Sequence, residues 1–390
     1  MMNGKRTLAV GFVAFLAVCL IVKVGARAQS AGAPAAASAG PKKAEEQFKN
    51  IQILKSIPAD QLMPAMQFIT ASLGVECEFC HVQGAFEKDD KKTKQTARKM
   101  MVMMFAINKD NFDGHREVTC YSCHRGSPDP VNTPLVMAEE MKPSGGVEMK
   151  PAEEKMGEGT DGKPAAGPSA DQLIDKYVQA VGGAAAVDKV TSRVMKGTIT
   201  FGDRNVPIDI FSKDPDKRIS FTRTPDGDSV TAFDGHEGWL GAPGRPAREM
   251  HGAEIDAAAM DADLHFATHL KGMFSEVKVQ GTEKIGNHDT YWLVGQRDGK
   301  PPLRLYFDVQ SGLLVRQVRY TNTPVGLIPT HIEYSDYRAV SGIKIPFQWI
   351  VTWTDGQTTT RLTSVQTNLP IDAANFAKPA PPVSPKPVKR

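Results

Sequence analysis

The sequence predicts a multidomain chain, with an all-α N-terminal domain followed by a C-terminal α+β domain built on a large antiparallel sheet. Three observations predict it. Two C-x-x-C-H strings, Cys77–His81 and Cys120–His124, each follow a stretch with helical periodicity. Between residues 137 and 170 the chain turns to Pro, Gly, Glu and Lys with almost no large apolar side chain, so it has little with which to build a core. Beyond that stretch, short alternating or β-branched segments follow one another, joined by turns such as Gln310-Ser311-Gly312.

The N-terminus reads as an export signal over residues 1–28. Lys5-Arg6 precede an apolar run from Leu8 to Val22, and Ala26-Arg27-Ala28 is a small-x-small cleavage pattern. If the signal stays uncleaved, the same run associates the protein with a membrane, although it is short for a span. Cys19 follows Val18, whereas a lipoprotein signal prefers a small residue there, so lipidation is not expected. Removing Lys5, Arg6, Lys23 and Arg27 turns 47 basic residues into 43 against 44 acidic ones, so no nucleic-acid partner is indicated. Residues 29–43, rich in Ala, Gly, Ser and Pro, form a spacer.

The domain at 44–136 is expected to be two copies of one unit: helix, turn, C-x-x-C-H. Phe48, Ile51 and Leu54 stand at helical spacing; the helix is interrupted at Ile57-Pro58, resumes at Ala59 and runs to Leu73, where Gly74 ends it. After the polar loop Asp89-Asp90-Lys91-Lys92, a second helix is expected from Thr93 to Lys109.

The motif spacing carries the chemistry. Two thiols three positions apart reach the two vinyl groups of one porphyrin, and the adjacent histidine is held under the iron. Cys77, Cys80, Cys120 and Cys123 are therefore candidate thioether residues, with His81 and His124 as proximal ligands of two covalently bound haem c groups. A four-thiolate zinc site would leave both trailing histidines unexplained. A thioredoxin-type motif needs a βαβ context that is not seen. An electron-shuttling haem normally has a second axial ligand, and the preceding helices offer Met63 and Met66, then Met100, Met101, Met103 and Met104. Such methionines also serve as ordinary core filler. His115 competes as second ligand of the second haem, but it sits only five residues before Cys120.

The run Met66 to Leu73-Gly74-Val75-Glu76-Cys77-Glu78-Phe79-Cys80-His81 resembles the haem-binding unit of the cytochrome c subunit of photosynthetic reaction centres. Ala97-Arg98 through Met103 to Ile107-Asn108, then Cys120 to Gly126, resembles that family's other type of unit. The resemblance covers roughly residues 45–130, and it implies Met66 and Met103 as distal ligands. Members serving photosystems usually hold four such haems, whereas this chain has two motifs, so donation to a photosystem is not what the resemblance implies here.

The linker is placed at 137–170 and the β-rich domain at 171–377, opening with a helix from Asp171 to Val190 that Gly182-Gly183 breaks. Strands are expected at 198–201, 206–211, 218–222, 230–233, 277–285, 291–295, 303–307, 313–320, 330–337, 345–353 and 358–365. A single helix is expected over Ala253–Leu270. Within it, His265 and His269 have metal-ligand spacing without the glutamate of a metalloprotease, and exposed helix histidines are the expectation. Residues 378–390 form a Pro-rich tail. Phe233-Asp234-Gly235-His236-Glu237-Gly238-Trp239 and Leu305 to Leu313 resemble periplasmic lipoprotein-carrier and sorting proteins, which implies a curved half-barrel sheet around an apolar cavity. Such a cavity could hold an apolar ligand such as a lipid or quinone, the alternative being a filled core or a protein-docking face.

These readings lead to the expectation of a periplasmic electron carrier rather than an enzyme. Its partners are expected to be another cytochrome or a membrane quinol-oxidising complex. A di-haem peroxidase with one open iron, and a lipid- or partner-binding protein with haems as redox sensors, are the alternatives.

Overall fold

The computed structural model describes residues 42–130 and 167–380, which fall in one compact unit. The segment expected to be an export signal, most of the expected spacer, residues 131–136 of the expected haem domain, the expected linker up to residue 166 and the expected tail from 381 lie outside the described residues.

The first part is helical: α1 Ala44–Gln47, α2 Leu62–Leu73, α3 Lys92–Asn111 and α4 Cys120–His124. The expected helix through Phe48, Ile51 and Leu54 is not formed. Phe48 is extended, and Asn50 and Ser56 adopt positive φ of 59° and 65°. The segment closes on itself instead, with Ala44 N donating to Ile57 O at 2.9 Å and Ala59 N to Lys42 O at 2.7 Å. The apolar triplet still reaches the core, because a loop with anchored ends can deliver Leu54 as a helix would.

A 3₁₀ turn at Ala59–Gln61 leads into α2, which ends as expected at Gly74 in the left-handed conformation, φ 66°. A Cβ there would also lie 2.2 Å from Gly126 O, and Gly126 N donates to Ser72 O at 2.9 Å. The chain just after the second motif is thus seated on the end of the helix that precedes the first.

The second part is a curved antiparallel sheet of 13 strands with helices on one face. Its first six strands are β1 Ser192–Phe201, β2 Arg204–Lys213, β3 Lys217–Thr224, β4 Gly227–Phe233, β5 Gly238–Ala242 and β6 Arg245–Glu249. The other seven are β7 Glu276–Ile285, β8 His288–Arg297, β9 Lys300–Asp308, β10 Leu314–Thr323, β11 Gly326–Val340, β12 Ile343–Trp353 and β13 Gly356–Thr367. The spatial order β6-β5-β4-β3-β2-β1-β13-β12-β11-β10-β9-β8-β7 joins two meanders at β1–β13.

Its edges are β6 and β7, which adjoin in sequence through α7 Ala253–Ala262 and α8 Phe266–Met273. That connection must cross one face of the sheet, and α7 packs on β3, β4 and β10. α5 Ala170–Ala180 and α6 Ala184–Val187 cover the same core. Ser169 caps α5 reciprocally with Gln172, at 3.2 and 2.8 Å. Leu173, Ile174 and Tyr177 of α5 are buried against Leu293, Leu303, Leu305 and Phe307; each such side chain contributes about 1.5–3 kcal/mol.

Two further expectations are not met. The helix over Ala253–Leu270 is broken at Asp263, whose Oδ1 accepts from His265 N at 2.8 Å and leaves His265 at the N-cap of α8. β5 and β6 were not expected, since both are only five residues long and neither alternates: β5 is Gly-Trp-Leu-Gly-Ala, and β6 carries charge and a proline, which is tolerated because β6 is an edge. The two parts meet where the β10–β11 turn inserts fully buried Val325 into the helical core. Gly326 lies so close to Phe68 that a Cβ would come within 2.2 Å of that ring, and Arg116 Nη2 donates to Asn322 Oδ1 at 2.7 Å. Among the described residues no helix is long and apolar enough to cross a membrane.

Candidate haem-binding sites

The first motif turns tightly at once after α2. Cys77–Phe79 is a 3₁₀ turn, and His81 N donates to Cys77 O at 3.0 Å, which folds the histidine back beside the thiols. His81 Nδ1 lies 2.9 Å from Phe86 O. With a proton on Nδ1 that contact is a hydrogen bond, and it leaves Nε2 free as a ligand atom; this is how metal-binding histidines are commonly oriented. His81, Cys80 and Met66 line one cavity of about 100 Å³, walled by Leu54, Leu62, Ile69 and Met101. Cys77 stands exposed at the turn.

The second motif is the short helix α4. His124 Nδ1 lies 3.0 Å from Ser127 O, the same arrangement as in the first. Cys120, Cys123 and His124 line a cavity of about 280 Å³ with Met100, Met101, Met103 and Met104, closed by Ile107 and Val118. Met101 and Met104 are also packed in the helical core, at 8% and 4% exposure, whereas Met100 and Met103 are 38% and 48% exposed. His115 is exposed on the loop after α3 and does not line this cavity.

The donor set fits a haem at each motif. Each cavity is mainly apolar, joins cysteine and histidine to methionine from another helix, and has an imidazole whose distal nitrogen is free. The four cysteines are unpaired, and burial pushes the Cys80 and Cys120 thiols up, which keeps them protonated at neutral pH. Ile69, Ala97 and Met101 line both cavities, so one layer of side chains separates them.

Sequence reading missed the groups that hold this frame. Lys94, 8% exposed, donates to Phe86 O at 2.8 Å and Lys88 O at 2.7 Å and lies 3.0 Å from Asp89. It therefore grips the same carbonyl that orients His81. Asp89 also lies 2.9 Å from Arg98 and accepts from Asn50 at 3.0 Å; bonds from Arg98, Asn50 and Lys94 hold its carboxyl well below the usual range. Asn108, 5% exposed, accepts from Val118 N and Glu117 N at 2.9 and 3.1 Å and donates to Val118 O at 2.7 Å, which fixes the chain entering the second motif. A lysine or asparagine on a helix announces none of this, because its partners come from loops.

In the β-rich part Asp263, His265 and His269 come within 4.8 Å of one another. His265 is half-buried, not exposed on a helix face; its Nε2 lies 3.0 Å from Val190 O, and His269 Nδ1 lies 3.0 Å from Asp263 Oδ2.

Comparison with known proteins agrees with the motifs. A photosynthetic reaction centre cytochrome c subunit of Thermochromatium tepidum is 36% identical over 132 residues, 33% of this chain and 31% of that protein. Cytochrome c-554 of Chloroflexus aurantiacus is 31% identical over 87 residues, 20% of this chain and 21% of that one. The chain thus spans a third or less of the length of these relatives. Among solved structures, a DUF1329 family protein from Desulfovibrio piger superposes with a TM-score of 0.39 at 15% identity, over 53% of this chain and 96% of its own. A LolA superfamily protein from Nitrosomonas europaea gives a TM-score of 0.39 at 12% identity, over 54% and 99%. Residues 4–163, which contain both C-x-x-C-H motifs and the helices that frame them, match the photosynthetic reaction centre cytochrome c subunit family.

Proposed function

We propose that the protein is a periplasmic di-haem c-type cytochrome that relays single electrons between redox partners. The observation that carries this reading is the pair of cavities sharing the wall Ile69, Ala97 and Met101, each with a motif histidine and a methionine among its lining residues. Cys77 and Cys80 hold one haem and Cys120 and Cys123 the other, with His81 and His124 as proximal ligands. Met66 is the distal residue of the first site and Met103 of the second; Met103 is free of the core packing that occupies Met101 and Met104. When bound, each haem supplies an iron that takes up and gives up one electron.

The chain's own contribution is position and electrostatics. Phe86 O and Ser127 O orient the two imidazoles, and Asp89, Lys94 and Arg98 lock the loop that carries the first of those carbonyls. In this reading 1–28 is a removed export signal, 29–43 a spacer, 44–136 the haem domain, 137–170 a linker, 171–377 the β domain and 378–390 a tail. The electron partners are of two classes, another cytochrome and a membrane quinol-oxidising complex. Mass spectrometry of the exported protein tests the stoichiometry: two haem increments are expected, falling to one when Cys120 and Cys123 are both replaced by Ser. One increment in the unaltered protein overturns the di-haem reading.

A further inference from the structure

The cavity of about 200 Å³ between α7, α8 and the sheet carries an unusual charge arrangement. Arg193 of β1, Arg218 of β3 and Arg319 of β10 all line it, brought together from both meanders. Arg319 is satisfied in part: its Nη2 donates to Asp261 at 2.7 Å and to Gln317 Oε1 at 3.1 Å, and Nη1 to Ala257 O at 3.3 Å. Its Nε is buried without a partner, and so is Nε of Arg193. Among the described residues neither Arg193 nor Arg218 forms a side-chain hydrogen bond or ion pair. Burial, with Arg218 close by, lowers Arg193 to about 10, so it stays protonated at neutral pH.

The cavity's two carboxylates do not balance these charges. Asp261 is bonded to Arg319, and Asp263 is committed to the His269 ring at 3.0 Å and His265 N at 2.8 Å. Three guanidiniums against two carboxylates leave one positive charge; Arg193 and Arg218 are half-buried, and Arg193 Nε is buried with no partner, which is costly to leave unsatisfied. The remaining wall is mixed: Gln317, Tyr177, Tyr334 and Tyr337 bring polar atoms, and Leu314, Ile345 and Trp349 form an apolar part. A cavity of about 150 Å³ holds a benzene ring, so this one has room for a ring or short chain with a charged end.

We propose that this cavity binds a compact organic monocarboxylate, whose carboxylate is held by Arg193 and Arg218 and whose apolar body lies against Leu314, Ile345 and Trp349. A guanidinium fork matches a carboxylate with two parallel hydrogen bonds. One negative charge neutralises the cavity, whereas a phosphate dianion overshoots and a neutral quinone or lipid leaves the arginines unsatisfied. The proposal stands independently of the haem sites.

Isothermal titration of the full-length holoprotein with benzoate, benzamide and inorganic phosphate tests it. Benzoate is expected to bind at one site per chain, at least tenfold tighter than the neutral isostere benzamide and than phosphate. Arg193→Gln and Arg218→Gln are each expected to weaken benzoate at least tenfold, about 1.4 kcal/mol, with haem spectra unchanged. Absence of benzoate binding up to about 10 mM overturns the proposal, as does equal binding of benzamide or phosphate, or full affinity in both variants. If Arg193→Gln does not fold, Arg218→Gln and the benzamide comparison decide.

Discussion

At residue scale the haem frame rests on a few positions where no other side chain serves. Gly74 needs both a positive φ and the absence of a Cβ, because Gly126 O would lie 2.2 Å away. Gly74→Ala is therefore expected to cost at least about 1–3 kcal/mol in denaturant unfolding. An unchanged midpoint would show that the contact between the two motif units does not stabilise the fold. Met103 and Met100 lie three positions apart on α3 and line the same cavity. Met103→Ala is expected to yield a high-spin iron that binds carbon monoxide, whereas Met100→Ala keeps the low-spin spectrum; the reverse pattern assigns Met100 instead. Asp89 gives the pH dependence. Its folded pKa is depressed, so the stability it adds is present above its unfolded value near 4 and is lost as pH falls below that. Asp89→Asn should remove that part of the acid transition, read as the pH at which the first haem's spectrum changes.

At the scale of elements, α3 is both the floor of one cavity and the roof of the other, since Ala97 and Met101 line both. Much of this was legible. The C-x-x-C-H strings, the αL stop at Gly74 and the period of α3 are local signals, written within a few residues of where they act. The failures were non-local. Phe48, Ile51 and Leu54 keep a helical spacing, yet Asn50 in the left-handed region, bonded to Asp89, makes that stretch a loop. β6 is polar because it is an edge, and edges do not show the alternation of a half-buried strand. The β10–β11 turn joins the two parts through Val325. Val325→Ala is expected to cost about 2 kcal/mol, and to lower the stability reported by haem absorbance and by tryptophan fluorescence together. If only fluorescence shifts, the turn supports the sheet alone.

Over the whole molecule the division of labour follows the chain. Residues before 130 carry both C-x-x-C-H motifs, and the larger β-rich part contributes a cationic, partly apolar cavity whose arginines come from strands far apart in sequence. No sequence window contains Arg193, Arg218 and Arg319, so that site became visible only once β1 and β13 joined the meanders. The resemblance offered an apolar ligand beside a filled core or docking face; the charge in this cavity argues for an acid. The central claim, a relay built on two six-coordinate haems, is tested most directly by a redox titration of the purified protein followed by optical and magnetic spectra. The account predicts two one-electron transitions, both low-spin with histidine–methionine ligation, and no carbon monoxide adduct on reduction. A single transition, or one high-spin iron that binds carbon monoxide stoichiometrically, would contradict it.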